Sequence, residues 1–181
     1  MKRQIMWTAQ QWPGCEHLEL CIDDDGIVAD GLVLAAPDNT PVRLAYRIEC
    51  DTAWNTRSVT IDFHHVRRNL ARDMDGRWFD NGQERPDLAG CTDIDIALTP
   101  FTNTLPIRRL RLTPGAAADL RVVYIQPESE LTIEPASQRY HRLGTGYRYE
   151  SGDFRADLDI DADGLVIEYP ALWTMVPSIA Q

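Results

Sequence analysis

Apolar and polar residues alternate one by one through most of this chain, while the 3.6-residue period of an amphipathic helix is hard to find. Alternation at period two sends successive side chains to opposite faces of a strand, so the pattern predicts a chain built almost entirely of half-buried strands. Leu18, Leu20 and Ile22 take one face of a first strand. The turn Asp23-Asp24-Asp25-Gly26 then returns the chain into Ile27 to Leu34, which is a hairpin signature. Further strands are predicted over Val42 to Cys50, Thr56 to Phe63, Gly76 to Asp80, Thr92 to Leu98, Ile107 to Leu112, Leu120 to Gln126, Glu130 to Pro135 and Gln138 to Leu143. Tyr147 to Ile160 and Leu165 to Tyr169 complete the set. Helix candidates are short: Phe101 to Arg111, which contains Pro106, and Gly115 to Leu120.

So many strands leave unpaired edges unless the sheet curls, which predicts an all-β fold: a strongly curved antiparallel sheet forming an incomplete barrel, with at most one or two short helices. The 181 residues, 44% of them hydrophobic, suffice for one core, and no linker or low-complexity run divides them, so residues 1–181 are expected to form one domain. A weak repeat is visible. Tyr46-Arg47-Ile48-Glu49 followed by Val59-Thr60-Ile61-Asp62 resembles Tyr147-Arg148-Tyr149-Glu150 followed by Leu158-Asp159-Ile160-Asp161. Each copy then reaches a D-x-D-G turn, Asp73 to Gly76 and Asp161 to Gly164, the first after an insertion from His64 to Arg72. An internal duplication and chance similarity among strands both account for this.

Eighteen basic against twenty-eight acidic residues give a net charge of -10, which repels phosphate backbones and argues against nucleic acid as a partner. No run approaches the roughly 20 apolar residues of a spanning helix. The opening MKRQIMWTAQQWPGC has too short an apolar patch for a signal peptide, so a cytoplasmic location is expected. Cys15, Cys21, Cys50 and Cys91 form no C-x-x-C pair and read as free thiols.

Asp159-Ile160-Asp161-Ala162-Asp163-Gly164 matches the first half of a calcium loop, but the twelfth position is Pro170 and strands flank it, so a hairpin turn is the better account. Cys15, His17, Glu19 and Cys21 share a strand face at about 6.6 Å spacing and cannot converge on one zinc ion. No cofactor motif, nucleophile elbow or phosphate loop is present. Asp93 and Asp95 fall on one strand face, where they could hold a metal or pair with the arginines of Ile107 to Leu112. In that strand Arg109 and Arg111 share a face with Ile107, and Arg108 points away. Trp78, beside the turn at Asp75 to Asp80, is the tryptophan expected to face a ligand. The stretch Thr92 to Leu110 passes from charge-and-grease alternation to Thr99, Thr102, Asn103 and Thr104, a polar but uncharged loop. Such a loop suits sugar hydroxyls at a cavity rim, or hydrogen bonds to its own backbone.

Several blocks resemble the bacterial "putative glycolipid-binding" protein family: YRIECDTAWNTRSVTI (Tyr46 to Ile61), DGRWFD (Asp75 to Asp80), PDLAGCTDIDIALTPFTNTLPIRRL (Pro86 to Leu110), VVYIQPESELTIEPASQRYHRL (Val122 to Leu143) and YRYESGDFRADLDIDADGLVIEYPALW (Tyr147 to Trp173). The resemblance implies an all-β curved sheet or incomplete barrel, like that of the periplasmic lipoprotein carriers, and a role in binding glycolipid; it brings no catalytic residues. Two functions are weighed. One is non-catalytic binding of an amphipathic ligand such as a glycolipid in a barrel-like cavity, with Arg57, Trp78, Asp93, Asp95, Asn103 and Arg108 as ligand-binding residues. The other is a metal-assisted hydrolase of a small phosphorylated or glycosylated substrate, using Asp93, Asp95 and an arginine. A third possibility is that the concave face is an assembly surface for another chain.

Overall fold

The computed structural model describes residues 1–128 and 130–177. Eight strands come first: β1 (Lys2–Ala9), β2 (Gly14–Asp23), β3 (Gly26–Ala35), β4 (Val42–Cys50), β5 (Thr56–Phe63), β6 (Val66–Arg72), β7 (Trp78–Asp80) and β8 (Gln83–Glu84). Seven follow: β9 (Cys91–Ile96), β10 (Ala117–Pro127), β11 (Leu131–Arg142), β12 (Tyr147–Ser151), β13 (Phe154–Ile160), β14 (Val166–Tyr169) and β15 (Trp173–Met175). They make one curved, unclosed sheet in which the meander β1 to β8 and the run β9 to β15 lie side by side, joined where β1 pairs with β15.

All pairs are antiparallel except β9 with β10. Parallel neighbours cannot be joined by a tight turn; the chain must travel back before the second strand begins. That return path is the polar stretch. After β9 it makes a 3-10 turn over Phe101–Asn103 and a single α-helix, α1 (Thr104–Leu110), before entering β10. Phe101, Thr102, Asn103, Thr104 and Leu105 are all buried, so the connection runs through the inside of the curl.

The predicted strand over Ile107 to Leu112 is therefore a helix. Pro106 does not prevent it, because Pro106 sits in the first turn, where the missing N–H has no intrahelical acceptor to lose. Arg111, in the left-handed conformation (φ 47), ends it. Alternation also failed at β1, β6, β8 and β15, which were not predicted, and it split β11 at Pro135, although that strand pairs continuously with β10. The predicted strand over Tyr147 to Ile160 is two strands, β12 and β13, turned at Gly152.

The connection is seated by an inward-facing carboxylate. Glu16 lies in phase with Leu18 and Leu20 on the inner face of β2 and is fully buried. Its Oε1 accepts hydrogen bonds from the Tyr46 hydroxyl and from Thr99 Oγ1 at 2.8 Å. Tyr46, on β4, reaches Glu16 by lying flat across β3 at Gly31, its cross-strand partner. A Cβ at Gly31 would stand 2.2 Å from the ring, so only glycine fits. The other face of that ring stacks on Phe101, 6.3 Å between centroids, so β2, β4 and the inner segment are locked together.

Gly31→Ala should lower the unfolding free energy by about 1–3 kcal/mol, the usual cost of overpacking; urea denaturation showing no loss would mean that the Tyr46 ring swings away freely. Burial raises the Glu16 carboxyl to about 8, against the lowering effect of its two hydrogen bonds. The folded value lies above the unfolded one, so its contribution to stability is complete at acid pH and is lost as pH rises towards about 8. Wild-type stability should fall over that window by up to roughly 1.4 kcal/mol per pH unit. Glu16→Gln, which keeps an acceptor for Tyr46 and Thr99, should flatten the profile; an unchanged slope would assign the dependence to other groups.

Candidate ligand-binding site

Strand β9 presents two carboxylates, Asp93 and Asp95, that hold the inner segment. Asp93 is fully buried and receives a bidentate pair from Arg109, Nε to Oδ1 at 3.0 Å and Nη2 to Oδ2 at 2.6 Å. Asp95 accepts from Thr102 Oγ1 at 3.0 Å, from Gln138 Nε2 at 2.6 Å and from the Tyr149 hydroxyl at 3.3 Å. Desolvation raises the Asp95 carboxyl despite these bonds. Between them Ile94 points the other way and is buried as well, so β9 is covered on both faces. Asn103 accepts from the Tyr140 hydroxyl at 2.8 Å and donates to the Pro100 carbonyl at 3.3 Å.

The curl is thus filled along its middle, and open volume lies at its margins. One cleft of about 450 Å³ is bordered by the polar Asp95, Thr99 and Asn103 and by the aromatic Tyr124, Tyr149, Phe154, Tyr169 and Trp173. Tyr149, Phe154 and Tyr169 form a triangle with centroids 6.1–6.3 Å apart. Phe154 is 45% exposed, so an apolar ring stands open at the cleft mouth. Burial pushes the Tyr149 and Tyr169 phenols up, which keeps both hydroxyls neutral donors at ordinary pH. Ala97 borders this cleft and also a second hollow of about 590 Å³, lined by Pro37, Val42, Leu98 and Pro127 among others.

Of the six residues expected to bind ligand, Asp95 and Asn103 come to the aromatic cleft. The others lie elsewhere. Trp78 is 1% exposed, and its Nε1 donates to the Cys91 carbonyl at 3.0 Å, tying β7 to β9. Arg57 pairs with Asp51 at 2.6 Å across a turn. Asp93 has both oxygens engaged by Arg109, which leaves neither free for a metal. Arg108 points away from Arg109, towards the ring of Trp54 at 5.2 Å, on the far end of α1. Among the described residues no group of His, Cys, Asp and Glu is disposed to hold a metal ion, and no helix is long and apolar enough to cross a membrane.

Sequence reasoning missed Glu16 and the aromatic triangle. Glu16 carried a readable signal, an acidic residue in register with Leu18 and Leu20 on an apolar face. Tyr149, Phe154 and Tyr169 carried none, since three strands bring them together.

The comparisons agree with this architecture. A crystal structure of a DUF1089 family protein from Pseudomonas aeruginosa is similar over 88% of this chain and 91% of its own, with 35% identity and a TM-score of 0.76. No curated protein matches significantly. The family model described as "Putative glycolipid-binding" matches residues 4–175, nearly the whole curved sheet with its inner segment, and the chain belongs to that family.

Proposed function

We propose that this protein binds an amphipathic ligand, a glycolipid by the chemistry of its cleft, and performs no reaction on it. The observation that carries this reading is the aromatic triangle of Tyr149, Phe154 and Tyr169 sharing one cleft with the polar Asp95 and Asn103. Aromatic faces cover the C–H faces of a sugar ring, while fixed donors and acceptors meet its hydroxyls. The volume falls within the roughly 300–1,000 Å³ of small-molecule sites. The hollow beyond Ala97 offers the apolar surface of Val42, Leu98 and two prolines to the start of an acyl chain, with Asp38, Thr40, Gln126 and Glu128 completing its wall. Since the middle of the curl is occupied by Phe101 and Leu105, the tail follows the margin of the barrel instead of entering its centre. Four free cysteines are in keeping with a reducing compartment, and we take the ligand to be met in the cytoplasm.

The test compares an amphiphile with its parts. Dodecyl maltoside below its micellar concentration should change the emission of Trp173, which borders the cleft, and should bind more tightly than maltose or dodecanol alone. Phe154→Ala, at an exposed position, should weaken that binding about tenfold, the worth of one aromatic contact, without loss of fold. Lipid extracted from the purified protein should appear by mass spectrometry. An absent response to the amphiphile, or one indifferent to Phe154→Ala, would remove the proposal.

A further inference from the structure

The opposite end of α1 opens on a chemically different cleft of about 570 Å³. Arg108, Arg111 and Arg142 border it, together with the loop Gly144-Thr145-Gly146, the ring of Tyr147 and the turn at Asp161. In a chain of net charge -10, most arginines are spent on carboxylates such as Asp51, Asp73, Asp87, Asp93, Asp119 and Asp157. None of these three takes part in an ion pair among the described residues. Asp161 does not supply the missing charge: its Oδ2 receives Arg3 at 2.7 Å, and its Oδ1 accepts the N–H groups of Asp163 and Leu165 at 2.9 Å each.

Two of the guanidiniums are also pre-oriented. Arg108 lies over Trp54 and Arg142 over Tyr147, at 5.2 and 4.9 Å from the ring centroids. Stacking uses the flat face of a guanidinium and leaves its N–H edge free for an oxyanion. Arg142 is fixed further by an Nη1 bond to the Gly146 carbonyl at 2.8 Å. Arg108 is gripped between two turns far apart in sequence, the one at Trp54 and the one at Gly164. A Cβ on Gly164 would come 3.0 Å from its Cδ, and on the other side Trp54 holds its ring in place from a left-handed backbone (φ 69), a costly conformation for so large a residue. The Arg108 Nε is buried and has no hydrogen-bond partner. A cation held so rigidly, with an unmet buried donor and no counter-charge, is built for an anion supplied from outside.

We infer that this cleft is a binding site for a phosphate-bearing ligand, with Arg108, Arg111 and Arg142 as its cationic contacts. The site lies apart from the aromatic cleft and does not depend on the glycolipid reading. Phosphate chemistry is shared by soluble phosphorylated compounds and anionic lipid headgroups, and the experiment separates them. The whole protein is titrated with inorganic pyrophosphate at low salt, followed by the amide signals of Gly144, Thr145 and Gly146 and by calorimetry. A second arm measures sedimentation with phosphatidylcholine vesicles with and without phosphatidic acid. Saturable pyrophosphate binding that shifts those three amides and weakens with added salt is the expected result. Arg111→Asn combined with Arg142→Met should weaken it at least about tenfold, since asparagine tolerates the left-handed backbone and methionine preserves the stem. Arg43→Gln, an exposed change on β4 with the same loss of charge per residue, should leave it nearly unaltered. Vesicle binding that needs phosphatidic acid and is lost in the double variant assigns the phosphate to a lipid; pyrophosphate binding without it assigns a soluble ligand. No saturable binding in either arm, or an equal loss per charge in Arg43→Gln, overturns the inference. The amide spectrum of each variant reports its fold, and Arg111→Asn alone, at an exposed position, gives the same reading should the double variant unfold.

Discussion

The structure depends on burying a polar connection inside a curled sheet. Strands β9 and β10 are parallel, so the chain between them must cross back, and here it crosses through the interior. An interior path is costly for a loop, because each buried N–H, C=O and hydroxyl without a partner loses its hydration. Three acidic side chains lower that cost. Glu16 accepts Thr99, Asp95 accepts Thr102, and Asp93 takes Arg109, while Asn103 meets the Tyr140 hydroxyl. The segment's apolar members, Phe101, Leu105 and Ile107, fill the remaining space with fully or nearly fully buried side chains. The polar but uncharged composition of Thr99 to Thr104 thus reflects its place in the middle of the barrel: the hydroxyls of Thr99 and Thr102 and the amide of Asn103 find partners there, only the Thr104 hydroxyl is left without one, and further free charges could not be accommodated.

This plug decides what kind of binding the fold can offer. An empty curl would present one long apolar bore; the filled one presents a cleft near each end of the inner segment. At the Asn103 end are aromatic rings and neutral donors, at the Arg108 end unpaired guanidiniums. Strand β12 joins the two, with Tyr147 on the basic cleft and Tyr149 on the aromatic one.

The turns that frame this arrangement share one device. Asp51, Asp73 and Asp161 each accept, through one carboxylate oxygen, the N–H groups two and four residues on, and each turn has a left-handed residue at its fourth position. Gly76 and Gly164 hold that position in two of them and Trp54 in the first. The apparent calcium motif at Asp159 to Gly164 is one of these turns, with Asp161 committed to backbone N–H groups and to Arg3, and Asp163 to Arg3. An aspartate is cheaply used in this way because a single side chain replaces two lost backbone partners.

The sequence by itself determined the all-β class, the curl and most strand positions. Period-two alternation is a local property, dictated by which face of each strand meets water, and β2 to β5 can be read residue by residue from it. The pairing of Asp93 with an arginine of the following run was also within reach, although the run proved helical. What alternation could not reveal was where the connection after β9 would go, since a path through the interior is chosen by the parallel register of β9 and β10, a long-range choice that leaves no periodic trace. From that choice follow the burial of Thr99 to Thr104, the retirement of Trp78 and Asp93 into structural roles, and the splitting of the interior into two clefts. Tyr149, Phe154 and Tyr169, like Arg108, Arg111 and Arg142, are set beside one another by strand order and by one helix, and only the tertiary structure could gather them.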